Sequence, residues 1–163
     1  MSLSGKRCII TGGSRGIGLA IAQLFASQGA ACTLIGRHAE TLSTAVKSLD
    51  QESESQAHDT YAFDVSTRTG WDMLLARKKS VSLRILVIYH VSHATVNILI
   101  RNRRPPSQKN IDVLVNAAGV PHRSFLFKTG FSEMDEILDV NLRGTIIGCK
   151  TIIPKMMKQK SGK

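Results

Sequence analysis

Thr11-Gly12-Gly13-Ser14-Arg15-Gly16-Ile17-Gly18 follows a short apolar run, Cys8-Ile9-Ile10, and opens an amphipathic stretch with helical spacing. Few local sequences restrict a fold as tightly. A strand must end, the chain must turn within a few residues, and a helix must start close against the sheet. Gly12 permits the tight turn, Gly16 lets backbone N–H groups approach an anion, and Gly18 lets the helix pack closely. The first turn of that helix then presents unpaired N–H groups and a partial positive charge. The arrangement is a phosphate cradle and points to a nucleotide cofactor.

Beyond Gly18 the chain alternates strand and helix patterns, the order that gives an α/β fold with a parallel sheet and crossover helices. The spacing predicts strands over Arg7–Ile10, Ala31–Ile35, Tyr61–Phe63 and Ile111–Val115. Helices are predicted over Ser14–Gln28, Glu40–Leu49 and Ser132–Met157, with Asp50–Asp59 a polar loop. In the first helix the periodic residues are Ile17, Ala20, Ile21, Leu24 and Phe25, and Gly29 is placed to cap it. In the last they are Met134, Ile137, Leu138, Leu142, Ile146 and Cys149, and Pro154 calls for a kink or break.

One interval is too long. Tyr61 to Val115 spans 55 residues, where a strand–helix–strand unit takes about 30. The surplus coincides with a basic, glycine-free stretch, and 76–104 reads as an atypical insertion in a single domain covering 1–163. Charge supports that boundary. The chain carries a formal +10, a value that by itself suggests nucleic acid or an anionic membrane. Eight of those charges, Arg77, Lys78, Lys79, Arg84, Arg101, Arg103, Arg104 and Lys109, lie between Ala76 and Asn110, where no acidic residue stands. Basicity thus belongs to one segment, and neither a nucleic-acid nor a membrane partner is expected. Val81–Ile100 is apolar, but Arg84 inside it makes a membrane span costly, by about 2.5–3.5 kcal/mol for one central Arg.

Cys8, Cys32 and Cys149 lie far apart in apolar segments and read as buried reduced thiols. His90 and His93 have no Cys, Asp or Glu nearby, so no metal site is expected. The first strand begins too close to Met1 for a signal or transit peptide. The expected location is cytoplasmic, with a mitochondrial one left open.

Four separated signatures stand in order: Thr11 to Gly18, Asp64-Val65, Asn116-Ala117-Ala118-Gly119, and Asn141 within Val140–Gly144. Together they resemble the short-chain dehydrogenase/reductase family over about 1–75 and 110–163. The details are most similar to 3-oxoacyl-[acyl-carrier-protein] reductases, through Gly13-Ser14-Arg15 and Lys155–Gly162. The resemblance implies a Rossmann-like doubly wound parallel sheet, of which the N-terminal part, strands one to four, is present. It implies an oxidoreductase that reduces a carbonyl, a 3-oxoacyl thioester, in fatty acid biosynthesis. Cofactor contacts fall by resemblance on Thr11, Gly12, Ser14, Arg15, Gly16, Ile17, Gly18, Arg37, Asp64, Val65, Asn116, Ala117 and Gly119. Asp64 would meet the adenine amino group and Val65 pack on its ring. Asn116 would tie neighbouring strands together. Asn141 would hold a water in a proton relay, the catalytic role. An acidic residue at the end of strand two would grip a free ribose 2′-hydroxyl; Arg37 stands there instead, and with Arg15 it suits a 2′-phosphate. NADP(H) is therefore expected over NAD(H).

The resemblance also implies a Tyr-x-x-x-Lys pair and a serine on the next strand. Tyr61 is followed four residues on by Val65 and Tyr89 by His93, so neither tyrosine qualifies. The chain is expected to be an incomplete, inactive form that is marginally stable, with strand four left as an apolar edge. Its partners would be a small-molecule or acyl-thioester substrate, and a second copy or a full-length relative. The alternative is a non-catalytic nucleotide-binding or partner-binding fragment.

Overall fold

The computed structural model describes residues 2–51, 56–76, 110–122, 124–160 and 162. In chain order the elements are β1 (Arg7–Thr11), α1 (Gly16–Ser27), β2 (Ala31–Gly36), α2 (Ala39–Lys47), β3 (Asp59–Ala62), α3 (Arg68–Ala76), β4 (Val113–Asn116), α4 (Phe131–Leu138) and α5 (Gly144–Gln159). A 3-10 turn at Leu126–Lys128 precedes α4, and a π turn at Asp139–Arg143 joins α4 to α5. The four strands form one parallel sheet in the order β3-β2-β1-β4. This is the parallel α/β order the strand–helix alternation predicts and the Rossmann-like arrangement the resemblance implies. Of the segment 76–104, only Ala76 is among the described residues, where it closes α3; the rest, with Tyr89, His90 and His93, lies outside them.

Both faces of the sheet are covered, because alternate residues of β1 and β2 point to opposite sides. Cys8, Ile10, Cys32 and Leu34 meet Ala22 and Ala26 of α1 and Leu42 and Ala45 of α2. Ile9 and Ile35 point the other way, to Trp71 and Leu74 of α3 and Ile152 and Met156 of α5. Cys8 and Cys32 are in-register neighbours and fully buried. The hydrogen bond Cys32 shares with Cys8, and then its burial, hold its thiol well above the ordinary range.

Three sequence expectations need correction. The periodic residues of α1 form only part of its inner face: Ile21 and Phe25 pack against the core, Ile17 and Leu24 are exposed, and Gly18, Ala22 and Ala26 are buried. A helix that packs this close to a sheet turns its smallest residues inward. The helix expected over Ser132–Met157 is not a regular α-helix: a π turn at Asp139–Arg143 separates α4 from α5 without breaking the helical backbone. That turn rotates the apolar pattern, so Leu138, Leu142 and Ile146 stand exposed while Val140, Gly144, Gly148, Ile152 and Met156 face inward. Finally, of the kink or break expected at Pro154, the break does not occur: α5 runs on through it. Pro154 is on the exposed side, where water can satisfy the carbonyl its missing N–H leaves free.

Not foreseen at all is α3, whose Trp71 is completely buried and donates its indole N–H to the Val65 carbonyl at 2.9 Å. β4 starts two residues later than expected. Ahead of it, the Gln159 side chain acts as a strand neighbour to Ile111, accepting from its N–H at 3.0 Å and donating to its carbonyl at 2.9 Å.

Candidate cofactor site

The site gathers at the C-terminal ends of the strands, where β1 gives way to α1 and β4 to the Asn116–Gly119 turn. Gly12 holds φ +65° and Gly16 φ +55°, the left-handed region that only glycine adopts cheaply. Gly12 also has no room for a side chain. A Cβ there would lie 2.7 Å from the Ala117 carbonyl oxygen and 2.8 Å from the Ala118 Cα. A Cβ on Gly18 would strike the Gly12 carbonyl. The N–H of Gly13 donates to the Ile35 carbonyl at 3.2 Å, fixing the turn against β2.

Arg15 is the N-cap of α1, in extended conformation, and no side chain caps the helix. Its first-turn N–H groups therefore point outward with no side-chain acceptor, as an anion would require. Ile17 is 77% exposed at this mouth, an apolar surface beside the donors. Ser14 lies next to the last residue of β2: its Oγ would be 3.6 Å from a Cβ on Gly36.

Thr11 is 2% exposed and its hydroxyl is spoken for. It accepts from the N–H groups of Ala117 and Ala118, both at 3.1 Å, and faces the Val115 carbonyl at 3.4 Å. Thr11 thus acts from below: it clamps the Asn116–Gly119 turn to the end of β1. Asn116 pairs in register with Thr11, and its side chain turns to α5, with Nδ2 3.5 Å from Cys149 Sγ. Gly119 abuts Asn141, whose Oδ1 would be 3.3 Å from a Cβ there.

Asp64 and Val65 are engaged by the fold. Asp64 Oδ1 accepts from the Ser66 N–H at 2.9 Å and hydroxyl at 2.8 Å, and its carbonyl accepts from Thr67 at the approach to α3. Val65 is buried, pressed against Gly144, where a Cβ would lie 2.7 Å from its Cγ2. Asn141 sits at the centre of the π turn, a distortion common where helices serve a site. Its side-chain amide pairs with Val120 in both directions: Oδ1 accepts from the Val120 N–H at 2.8 Å and Nδ2 donates to the Val120 carbonyl at 3.0 Å.

Arg37, just after β2, reaches across to α4. Its Nη1 stands 3.4 Å from Glu136 Oε1. No spacing signal in the sequence joins Arg37 to Glu136, 99 residues apart. A depression of about 280 Å³ lined by Leu138, Asp139, Leu142, Arg143 and Ile146 lies on the outer face of α4 and α5 and shares no residue with the cradle. Among the described residues, no three His, Cys, Asp or Glu side chains come together as a metal site. No helix among them is long and apolar enough to cross a membrane.

Residues 6–163 match the family model described as short chain dehydrogenase. The chain belongs to the short-chain dehydrogenase family. That family is one of oxidoreductases that bind nicotinamide cofactors. The chain is 27% identical over 163 residues to the 3-oxoacyl-[acyl-carrier-protein] reductase of Aquifex aeolicus, covering 100% of this chain and 55% of that protein. With the Chlamydia trachomatis reductase of the same name it shares 31% over 160 residues, 98% of this chain and 54% of the other. The L-sorbose reductase of Gluconobacter frateurii, solved with NADPH and L-sorbose, superposes with a TM-score of 0.73 at 25% identity, over 99% of this chain and 51% of that one. The chain spans about half the length of the curated relatives it matches.

Proposed function

We propose that these residues form the NADP(H)-binding half of a cytoplasmic carbonyl reductase acting on a 3-oxoacyl thioester. The observation that carries the cofactor choice is Arg37 at the end of β2, where a carboxylate would favour a free ribose hydroxyl. The cradle fits a pyrophosphate: Gly12 is closed to any side chain, and the α1 N-terminus has no capping side chain. Gly12, Gly16 and the first turn of α1 would hold the pyrophosphate, with Arg15 and Arg37 at the adenosine ribose. Asp64, through the carboxylate oxygen Ser66 does not take, would meet the adenine. Ala117 and Gly119 would form the wall alongside, set by Thr11 and Asn116. The bound cofactor would supply a hydride to the carbonyl carbon. We place the proton donor outside these 163 residues, since neither tyrosine has a lysine four positions on. Two relatives named as 3-oxoacyl-[acyl-carrier-protein] reductases support the substrate class, and the NADPH-bound sorbose reductase supports the cofactor.

Titration calorimetry with NADPH and NADH tests the reading. A hydrogen-bonded phosphate–guanidinium contact is worth about 1.5–3 kcal/mol, so NADPH is expected to bind about ten- to a hundredfold tighter. Equal affinities, or tighter NADH, overturn the cofactor choice. With an acetoacetyl thioester added, these residues are expected to bind NADPH without consuming it; turnover overturns our placement of the proton donor.

A further inference from the structure

A carboxylate of the same chain already stands beside Arg37. Its guanidinium and the Glu136 carboxylate, 3.4 Å apart, are 47% and 54% exposed. Glu136 comes from α4, which buries none of its residues. Packing therefore gives α4 little hold on the sheet, and the ion pair reaches from it to the end of β2. Any phosphate that Arg37 binds is therefore brought close to the Glu136 carboxylate.

We propose that Glu136 is a specificity-determining residue that competes with the ribose 2′-phosphate for Arg37. The proposal rests on the reading of Arg37 as the 2′-phosphate partner. A phosphate at Arg37 brings up to two negative charges beside the carboxylate, so Glu136 must swing away or repel it. A free 2′-hydroxyl meets no such repulsion and can donate to a carboxylate, as it does to an acidic residue at the end of a second strand in NAD sites. Glu136 therefore weakens the binding of the phosphorylated ribose and spares the unphosphorylated one. It narrows the preference that Arg37 creates. It also couples the 2′-phosphate to α4, because the phosphate releases the tie between that helix and β2.

The pair is solvated, which sets the size of the effect: an exposed ion pair shifts an equilibrium by about two- to fivefold. The test is calorimetric titration of the chain, its Glu136→Gln and Glu136→Ala variants and Arg37→Gln with adenosine 2′,5′-bisphosphate and adenosine 5′-monophosphate. Far-UV circular dichroism checks that each variant is folded. Both Glu136 variants are expected to bind the bisphosphate about two- to fivefold tighter and the monophosphate no tighter than the parent. Arg37→Gln is expected to weaken the bisphosphate. If Arg37→Gln weakens it while the Glu136 variants bind it no better, the competition is overturned and the cofactor reading stands. If Arg37→Gln leaves the bisphosphate unaffected, or the parent binds neither nucleotide, the cofactor reading falls and the competition with it.

Discussion

Gly12 concentrates more constraint than any other single residue of the site. Its φ of +65° and the 2.7 Å that would separate a Cβ from the Ala117 carbonyl are independent obstacles to a side chain. The first costs about 1–2 kcal/mol and the second about 1–3 kcal/mol, because the obstructing atoms are backbone. Gly12→Ala is therefore expected to destabilise the chain by about 3 kcal/mol, read as a lower urea midpoint at unchanged slope. A shift below about 0.5 kcal/mol would mean that the Asn116–Gly119 turn moves aside freely and that the cradle is not rigid. The motif was legible for the same reason: a position closed to every side chain leaves glycine as the only choice. Thr11 was less legible. Nothing in its place beside the glycines announces that its hydroxyl is committed to Ala117 and Ala118. Glu136 was not legible at all, since an ion pair between exposed residues of separate elements leaves no local pattern.

Elements were readable where the pattern was large and apolar, and failed where small residues did the packing. Strands β1 and β2 are near-continuous apolar runs, so their positions emerge from the residues alone. On α5 the inward face includes Gly144 and Gly148, which let the helix approach Val65 and Trp71 and contribute nothing to a hydrophobic stripe. The stripe that periodicity does detect, Leu138, Leu142 and Ile146, continues along the exposed side through Ile153 and Met157. Charges flank it unevenly: Glu133 and Asp135 at the α4 end, where Glu136 and Asp139 are already paired with Arg37 and Arg143, and Lys150, Lys155 and Lys158 along α5. Two such surfaces laid antiparallel would match acid to base and cover the apolar row, the isologous contact of a twofold dimer. A Leu142→Lys, Ile146→Lys double substitution is expected to leave the fold intact, both residues being exposed, and to shift sedimenting mass from dimer toward monomer. Unchanged sedimentation, or a parent that is monomeric at tens of micromolar, removes this face as the site of self-association.

At the scale of the whole molecule, the question is whether a sheet with two cores melts as one body. The cores share β1 and β2: Ile10 and Leu34 face α1 and α2, while their neighbours Ile9 and Ile35 face α3 and α5. Neither core can be dismantled without leaving one side of the same two strands bare. The expectation is thus one cooperative transition, and the chain's single tryptophan makes it testable. Trp71 is completely buried in the second core, edge-on to Phe63 at 5.4 Å between ring centroids. It reports on that face alone, whereas far-UV circular dichroism reports on all the helices. Leu34→Ala removes a fully buried side chain from the first core and should cost about 2–5 kcal/mol. If the sheet couples the faces, Trp71 fluorescence and circular dichroism lose the same increment of urea midpoint, although the substitution is on the opposite side from the probe. If circular dichroism shifts while Trp71 fluorescence holds its parent midpoint, α3 and α5 stay on the sheet after α1 and α2 have left it. The cradle, built from β1, α1 and the turn after β4, would then be lost before the second core unfolds.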